Sequence, residues 1–266
     1  MRGFTTISES FKSNPQGLTR LMNQFLPALS KASLERDGTL DKYMRDAIMA
    51  FWNAPLDLPD HALRACRAGL DMIERVEELN AVRRKEAEQN PEEIFHEIKI
   101  GIGINSGQCV VGNMGSDMRF DYTALGDTVN LASRLEGQSK PYGISVILGD
   151  NTAIAVADRL AVIEIDLIRV KGKLEPERIH ALLGSEDTVA DQAFQALREA
   201  NDRMLLSYRG RDWPATEGSL AEIGPLAARL GNDLEPYVSI YRSRIEYFRD
   251  NPPEEDWDGV YVAATK

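Results

Sequence analysis

Residues 101–136 constrain this chain more than any other stretch. Glycines at 101, 103, 107, 112 and 115 interrupt short apolar runs, and Gly126-Asp127-Thr128 leads into a helical pattern. The spacing predicts strands at residues 98–105 and 109–112 folded back on each other at Ser106-Gly107, then a helix capped by Asp127 or Thr128. On that helix Asn130 and Arg134 lie one turn apart, an arrangement suited to an anionic ligand. The stretch reads as a nucleotide site. It is not a dinucleotide fingerprint, because Gly101-Ile-Gly-Ile runs within a strand and has no third glycine at the helix entry. No Gly-Lys-Ser/Thr phosphate loop is present in the sequence.

Composition narrows the alternatives. With 266 residues, 43% of them apolar, the chain can bury one full core and carry an appendage. A formal net charge of -11 argues against a nucleic-acid partner, which calls for a basic excess or stripe. Cys66 and Cys109 make neither a disulfide framework nor a zinc spacing, so a reducing cytoplasmic setting is expected. His61, His96 and His180 fall in no metal or triad spacing. There is no signal-like N-terminus and no run of about 18 apolar residues, so no membrane segment is expected in this chain.

Periodicity sets the organisation. Leu18, Leu21, Met22, Phe25, Leu29 and Ala32 predict a helix after Gly17 that stops near Asp37-Gly38. Residues 39–52 read as two short strands turning at Arg45-Asp46. Asp60 is the expected N-cap of a long helix that fades into a solvated charged stretch at 83–93. Beyond the central stretch come a strand at 144–148, a helix at 151–157, and strands at 160–170 and 178–183. Residues 1–184 are expected to form one α+β domain with a mostly antiparallel sheet covered by helices. Residues 185–266 are expected to form a helical extension ending in an exposed Trp257 after Pro252-Pro253, and Trp213 and Trp257 open the option of an interaction module.

The run Leu40-Asp-Lys-Tyr-Met-Arg-Asp-Ala-Ile-Met-Ala-Phe-Trp-Asn-Ala-Pro-Leu-Asp, with residues 101–136 and Val170-Lys-Gly-Lys, resembles the class III nucleotidyl cyclase catalytic domain over roughly residues 1–183. The tail is similar to the extension of bacterial adenylate cyclases whose N-terminal half is an extracytoplasmic CHASE2 sensor with membrane helices. The resemblance implies a ferredoxin-like cyclase fold and two divalent cations, Mg2+ or Mn2+, that activate the ribose 3'-hydroxyl and clamp the triphosphate. Asp46 matches the second of the two aspartates that hold them. Lys42 matches the lysine that donates to adenine N1, and Thr123 its partner at the exocyclic amine, which favours ATP over GTP. Asn130 matches the ribose-orienting asparagine and Arg134 the arginine that stabilises charge on the α-phosphate. Lys171 or Lys173 would reach the terminal phosphates. Because such sites form between two chains, a two-fold homodimer is also implied.

Two positions depart from the family pattern. The first metal aspartate normally lies two residues ahead of the Arg-Gly-Phe-Thr segment, which in this chain begins at Arg2 directly after Met1. Arg45 stands where glycine is usual, at a hairpin tip and beside a metal aspartate. Two expectations follow. One is an adenylate cyclase making 3',5'-cyclic AMP and pyrophosphate, the chain being an N-terminally truncated fragment of a sensor held at the cytoplasmic face of the inner membrane. The other is a catalytically impaired homologue that binds nucleotide or dimerises with an active partner.

Overall fold

The computed structural model describes residues 1–90, 95–116, 118–169, 175–254 and 256–260. The chain divides into two compact units, residues 1–101 with 108–129, and residues 102–107 with 130–266.

In the first unit, helix α1 (Phe4–Ser10) precedes α2 (Pro15–Glu35), and α3 (His61–Gln89) follows the hairpin of β1 (Thr39–Met44) and β2 (Ala47–Phe51). Helix α2 starts before the expected Gly17, because Asn14 accepts from the Gly17 amide at 3.0 Å and Pro15 takes the first turn, where a missing N–H costs nothing. Asp60 does sit at the N-cap of α3, but its carboxylate faces Arg64 Nε at 2.7 Å instead of the backbone, and that hydrogen bond lowers its pKa. Residues 83–89, expected to fade into a loop, continue α3. Helices α2 and α3 are tied by Arg36, whose Nε and Nη2 donate to Asp71 at 2.7 and 3.0 Å. A second hairpin joins β4 (Val110–Ser116) to β5 (Arg119–Leu125).

That hairpin corrects one expectation. The segment at 98–105 does not fold back on 109–112. Asn80 takes both backbone groups of Ile98, each at 2.8 Å, and the strand shrinks to β3 (Ile102–Ile104). Strand β3 pairs instead with β6 (Val146–Gly149), in parallel, at the edge of a four-stranded sheet in the second unit. The order is β3-β6-β8-β7, with β7 (Ala161–Ile168) and β8 (Glu177–Gly184) antiparallel. Helix α4 (Asp127–Tyr142) begins in the first unit and continues into the second, and α5 (Asp150–Val156) follows β6.

Helices α6 (Glu186–Ala190), α7 (Gln192–Arg209), α8 (Trp213–Arg229) and α9 (Glu235–Asp250) complete the second unit. Their apolar faces share one core with the sheet and α4, in which Leu135, Ile147, Ile165, Leu197, Ile223 and Ile245 are all shielded from solvent. Trp257, expected to be exposed, is partly buried against this core: it meets Phe248 edge-on at 5.1 Å, and its indole donates to Val260 O at 2.8 Å. Among the described residues, no helix is long and apolar enough to cross a membrane.

The core of the second unit holds a charge. Asp166, 1% exposed, follows a register shift in β7 that interrupts strand alternation. Its Oδ1 accepts from Leu167 N at 2.8 Å and lies 3.2 Å from Tyr241 Oη, whose one proton is shared with Ile165 O at 2.8 Å; its Oδ2 accepts from Tyr142 Oη at 2.5 Å and faces Arg244 Nη2 at 2.6 Å. Burial, then the Asp166 charge, push the Tyr142 and Tyr241 phenols far above the usual range and keep them protonated donors. Removing the carboxylate strands a buried guanidinium, so Asp166→Ala is expected to cost about 3–5 kcal/mol in urea unfolding. A loss below about 1 kcal/mol would contradict that account. Burial also pushes the Cys66 thiol up to about 12. At pH 8 a thiol reagent should therefore titrate exposed Cys109 alone until the chain is unfolded.

Candidate functional site

Strand β1 is bulged. Leu40 pairs with Ala50 and Lys42 with Met49, so Asp41 is an extra residue with no cross-strand partner. In a regular strand, neighbours point to opposite faces; a bulge suspends that rule and lets Asp41 and Lys42 act together. The Asp41 side chain is 0% exposed, and Lys42 Nζ lies 3.3 Å from its Oδ1. On β5, Thr123 sits opposite Gly112 and is 6% exposed. Its hydroxyl donates to Asp41 Oδ2 at 2.5 Å. Lys42 and Thr123, the two expected base-reading residues, therefore meet on one buried carboxylate. Asp41 was not legible as a site residue, because alternation alone places it on the face opposite Lys42.

The Lys42 ammonium is close enough to Asp41 Oδ1 for an ion pair but is not aligned for a hydrogen bond. Sealed from solvent, that oxygen accepts no hydrogen bond among the described residues. The Lys42 side chain is 40% exposed, and its ammonium has donors to spare for a ligand.

The β1–β2 turn is the two-residue loop Arg45-Asp46. Arg45 has φ 56°, whereas Asp46 is not among the residues of positive φ. That pattern matches a type II' turn, whose first central place favours glycine. Asp46 Oδ2 faces the N-terminal ammonium at 3.1 Å, and the same amine donates to the Asp46 carbonyl at 3.1 Å. Among the described residues, no group of three His, Cys, Asp or Glu is placed to hold a metal ion. No such group gathers around Asp46, so the two-cation arrangement implied by the resemblance rests on no cluster of carboxylates among the described residues.

In the second unit, α4 presents the other expected residues. Gly103 makes its seating possible, since a Cβ there would lie 2.1 Å from Ala132 O and 2.4 Å from Glu136 N. Leu131 and Leu135 anchor the helix inward, Asn130 is exposed, and Arg134 lies at the boundary. Arg134 Nη1 is shielded from water and makes no hydrogen bond among the described residues. A buried guanidinium nitrogen without a partner is costly, and an anionic ligand would satisfy it. Lys171 and Lys173 lie outside the described residues.

Residues 1–184 match the sequence profile described as the adenylate and guanylate cyclase catalytic domain. Adenylate cyclase 1 of Rhizobium meliloti is 34% identical over 181 residues, 68% of this chain and 26% of that protein. Adenylate cyclase of Anabaena cylindrica is 33% identical over 184 residues, 68% of this chain and 34% of its own length. The chain thus spans only about a third or less of these relatives. The crystal structure of the adenylyl cyclase CyaB from P. aeruginosa superposes with a TM-score of 0.59 at 33% identity, covering 69% of this chain and 90% of that one. The guanylyl cyclase Cya2 superposes with a TM-score of 0.58 at 29% identity, covering 70% of this chain and 88% of that one.

Holding a non-glycine residue in the left-handed region costs about 1–2 kcal/mol, partly offset by the greater freedom of glycine in the unfolded chain. Arg45→Gly should therefore stabilise the fold by up to about 1 kcal/mol, raising Tm by about 2–4 °C. A drop in Tm would show that the arginine side chain contributes more than its backbone costs.

Proposed function

The chain belongs to the adenylate and guanylate cyclase catalytic-domain family, and from that premise we propose that it is an adenylate-type site, one that takes ATP and cyclises it to 3',5'-cyclic AMP. The observation that carries this reading is the pairing of Lys42 and Thr123 through Asp41. An ammonium can only donate, which suits adenine N1, and a threonine hydroxyl can accept from the exocyclic amine. Guanine presents the reverse polarity at both positions.

In the proposed reaction the ribose 3'-oxygen attacks the α-phosphorus in line. The new O3'–P bond forms as the bond to the β-phosphate oxygen breaks; the 3'-hydroxyl proton passes to solvent and pyrophosphate leaves. Asn130 orients the ribose. Arg134, with an unpartnered buried nitrogen, stabilises the charge that builds on the α-phosphate. Among the described residues Asp46 is the carboxylate that matches the family's metal ligands, and Mg2+ or Mn2+ held there would supply charge neutralisation at the phosphates.

A homodimer is part of the proposal. Tyr43, Met44, Val110, Phe120 and Leu125 of the first unit expose large apolar side chains on its two hairpins, a surface that a second copy would cover. Each site would then take Asp46 from one protomer and Lys42, Thr123, Asn130 and Arg134 from its partner.

Arg45, a cation held in the left-handed region beside Asp46, supports a second reading, that of an impaired homologue that binds nucleotide or pairs with an active cyclase. Both are tested by product formation from ATP and GTP with Mn2+, alongside equilibrium binding of each nucleotide. The adenylate reading predicts cyclic AMP, an ATP preference of at least about tenfold from the mispaired guanine edge, and a loss of about 10²–10³ in kcat for Arg134→Ala. Mixing Asp46→Ala with Arg134→Ala should restore about a quarter of the activity, since half the dimers are mixed and each has one intact site. ATP binding without turnover supports the second reading; failure to bind ATP overturns the adenylate reading, and failure to bind either nucleotide together with failure to pair with an active cyclase overturns the second.

A further inference from the structure

We infer that Asp41 is the residue that fixes the purine preference of this site, by dictating which way the Thr123 hydroxyl proton points. The inference rests on the ATP reading and supplies what Lys42 and Thr123 alone do not. A hydroxyl carries one proton and two lone pairs and rotates to suit its ligand. Left free, Thr123 could accept from the amine of adenine or donate to the 6-oxo group of guanine, so it would select neither.

Asp41 removes that choice. An ionised carboxylate only accepts, and its Oδ2 lies 2.5 Å from Thr123 Oγ1, so the single hydroxyl proton is committed to it. Thr123 is left with lone pairs alone for the base. The second oxygen faces the Lys42 ammonium at 3.3 Å, which draws the donor beside the acceptor. One buried carboxylate thus sets a donor for N1 and an acceptor for the 6-amino group, the complement of adenine and the inverse of a 6-oxopurine.

Three features separate this arrangement from an ordinary buried ion pair. Asp41 is the extra residue of a bulge, a device that re-aims side chains. Its side chain is fully enclosed although the strand residues around it are only half-buried. Its Oδ1 accepts no hydrogen bond among the described residues, a cost that packing does not explain. Asp41 is accordingly a positioning residue that acts through Thr123 and Lys42.

The test is equilibrium binding of ATP and inosine triphosphate, which carries the 6-oxo edge without the 2-amino group, so no turnover is needed. Asp41→Asn keeps the shape but can turn an amide N–H toward Thr123, which frees the hydroxyl proton to face the ligand. The expected result is a fall of at least about tenfold in the ATP-over-inosine preference, with inosine triphosphate binding improved. In a Thr123→Val background the same substitution should change the ratio less than about twofold, because the hydroxyl it acts through is gone. A merely structural Asp41 would weaken both nucleotides in parallel, and a constant ratio in Asp41→Asn overturns the inference while leaving the ATP reading intact. A wild-type chain that shows no ATP preference overturns the ATP reading itself. Should Asp41→Asn fold poorly, Asp41→Ser offers a smaller donor at the same place, and its ratio is read by the same criterion.

Discussion

The second unit of this protein is organised around a carboxylate that no water reaches. Asp166 sits in β7, and four donors from three elements converge on it: its neighbour's amide, Tyr142 at the end of α4, and Tyr241 and Arg244 of α9. Taking a carboxylate and a guanidinium out of water costs several kcal/mol each, and their attraction offsets this only if the remaining valences are met. For the Asp166 carboxylate they are. The pair is therefore weak as a source of net stability but strong as a constraint on register, since any arrangement that separates α9 from β7 strands a charge. Tyr142 extends the constraint to α4, the helix that also bears Asn130 and Arg134.

Asp41 is the counterpart in the first unit, and the comparison separates scaffold from site. Both carboxylates lie where a strand loses its alternation, and both side chains are almost wholly enclosed. Asp166 has its valences filled by protein donors. Asp41 holds one well-directed hydrogen bond, keeps one oxygen unfilled, and leans on a lysine that is itself 40% exposed. Arg134 shows the same incompleteness in a cation. Groups that complete themselves within the protein define its shape; groups left short at a surface are available to a ligand.

Much of this architecture was legible because it is written in local periodicity. Helices α7, α8 and α9 follow apolar residues at intervals of three and four, and the β1–β2 hairpin follows its alternation and its turn. What escaped depends on partners distant in sequence. The β3–β6 pairing could not be read from residues 98–112, because it needs Asn80 to take the backbone of Ile98 and a glycine at 103 to admit α4. Trp257 looked exposed because the sequence does not reveal Phe248 and Tyr208 beneath it. In the candidate site, spacing picked out Asn130 and Arg134 and the family resemblance supplied Lys42 and Thr123, but the carboxylate between the latter two was hidden by the rule that usually serves best, the two-residue period of a strand.

The turn at Arg45 shows how such local conflicts are to be weighed. Other non-glycine residues in the chain have positive φ, but Asp37 and Asn53 are types that tolerate the left-handed region, and Arg211 lies in the tight α7–α8 connection with its side chain donating to Glu254 O. Arg45 has neither excuse: it is bulky, exposed, and sits where the turn favours glycine. Its cost is borne next to Asp46, the residue that would have to approach a cation, and a guanidinium one position away lowers the local affinity for any cation. Backbone strain and a like charge for any cation therefore meet at this one tip, while on the same strand Asp41 keeps an oxygen without a hydrogen bond among the described residues.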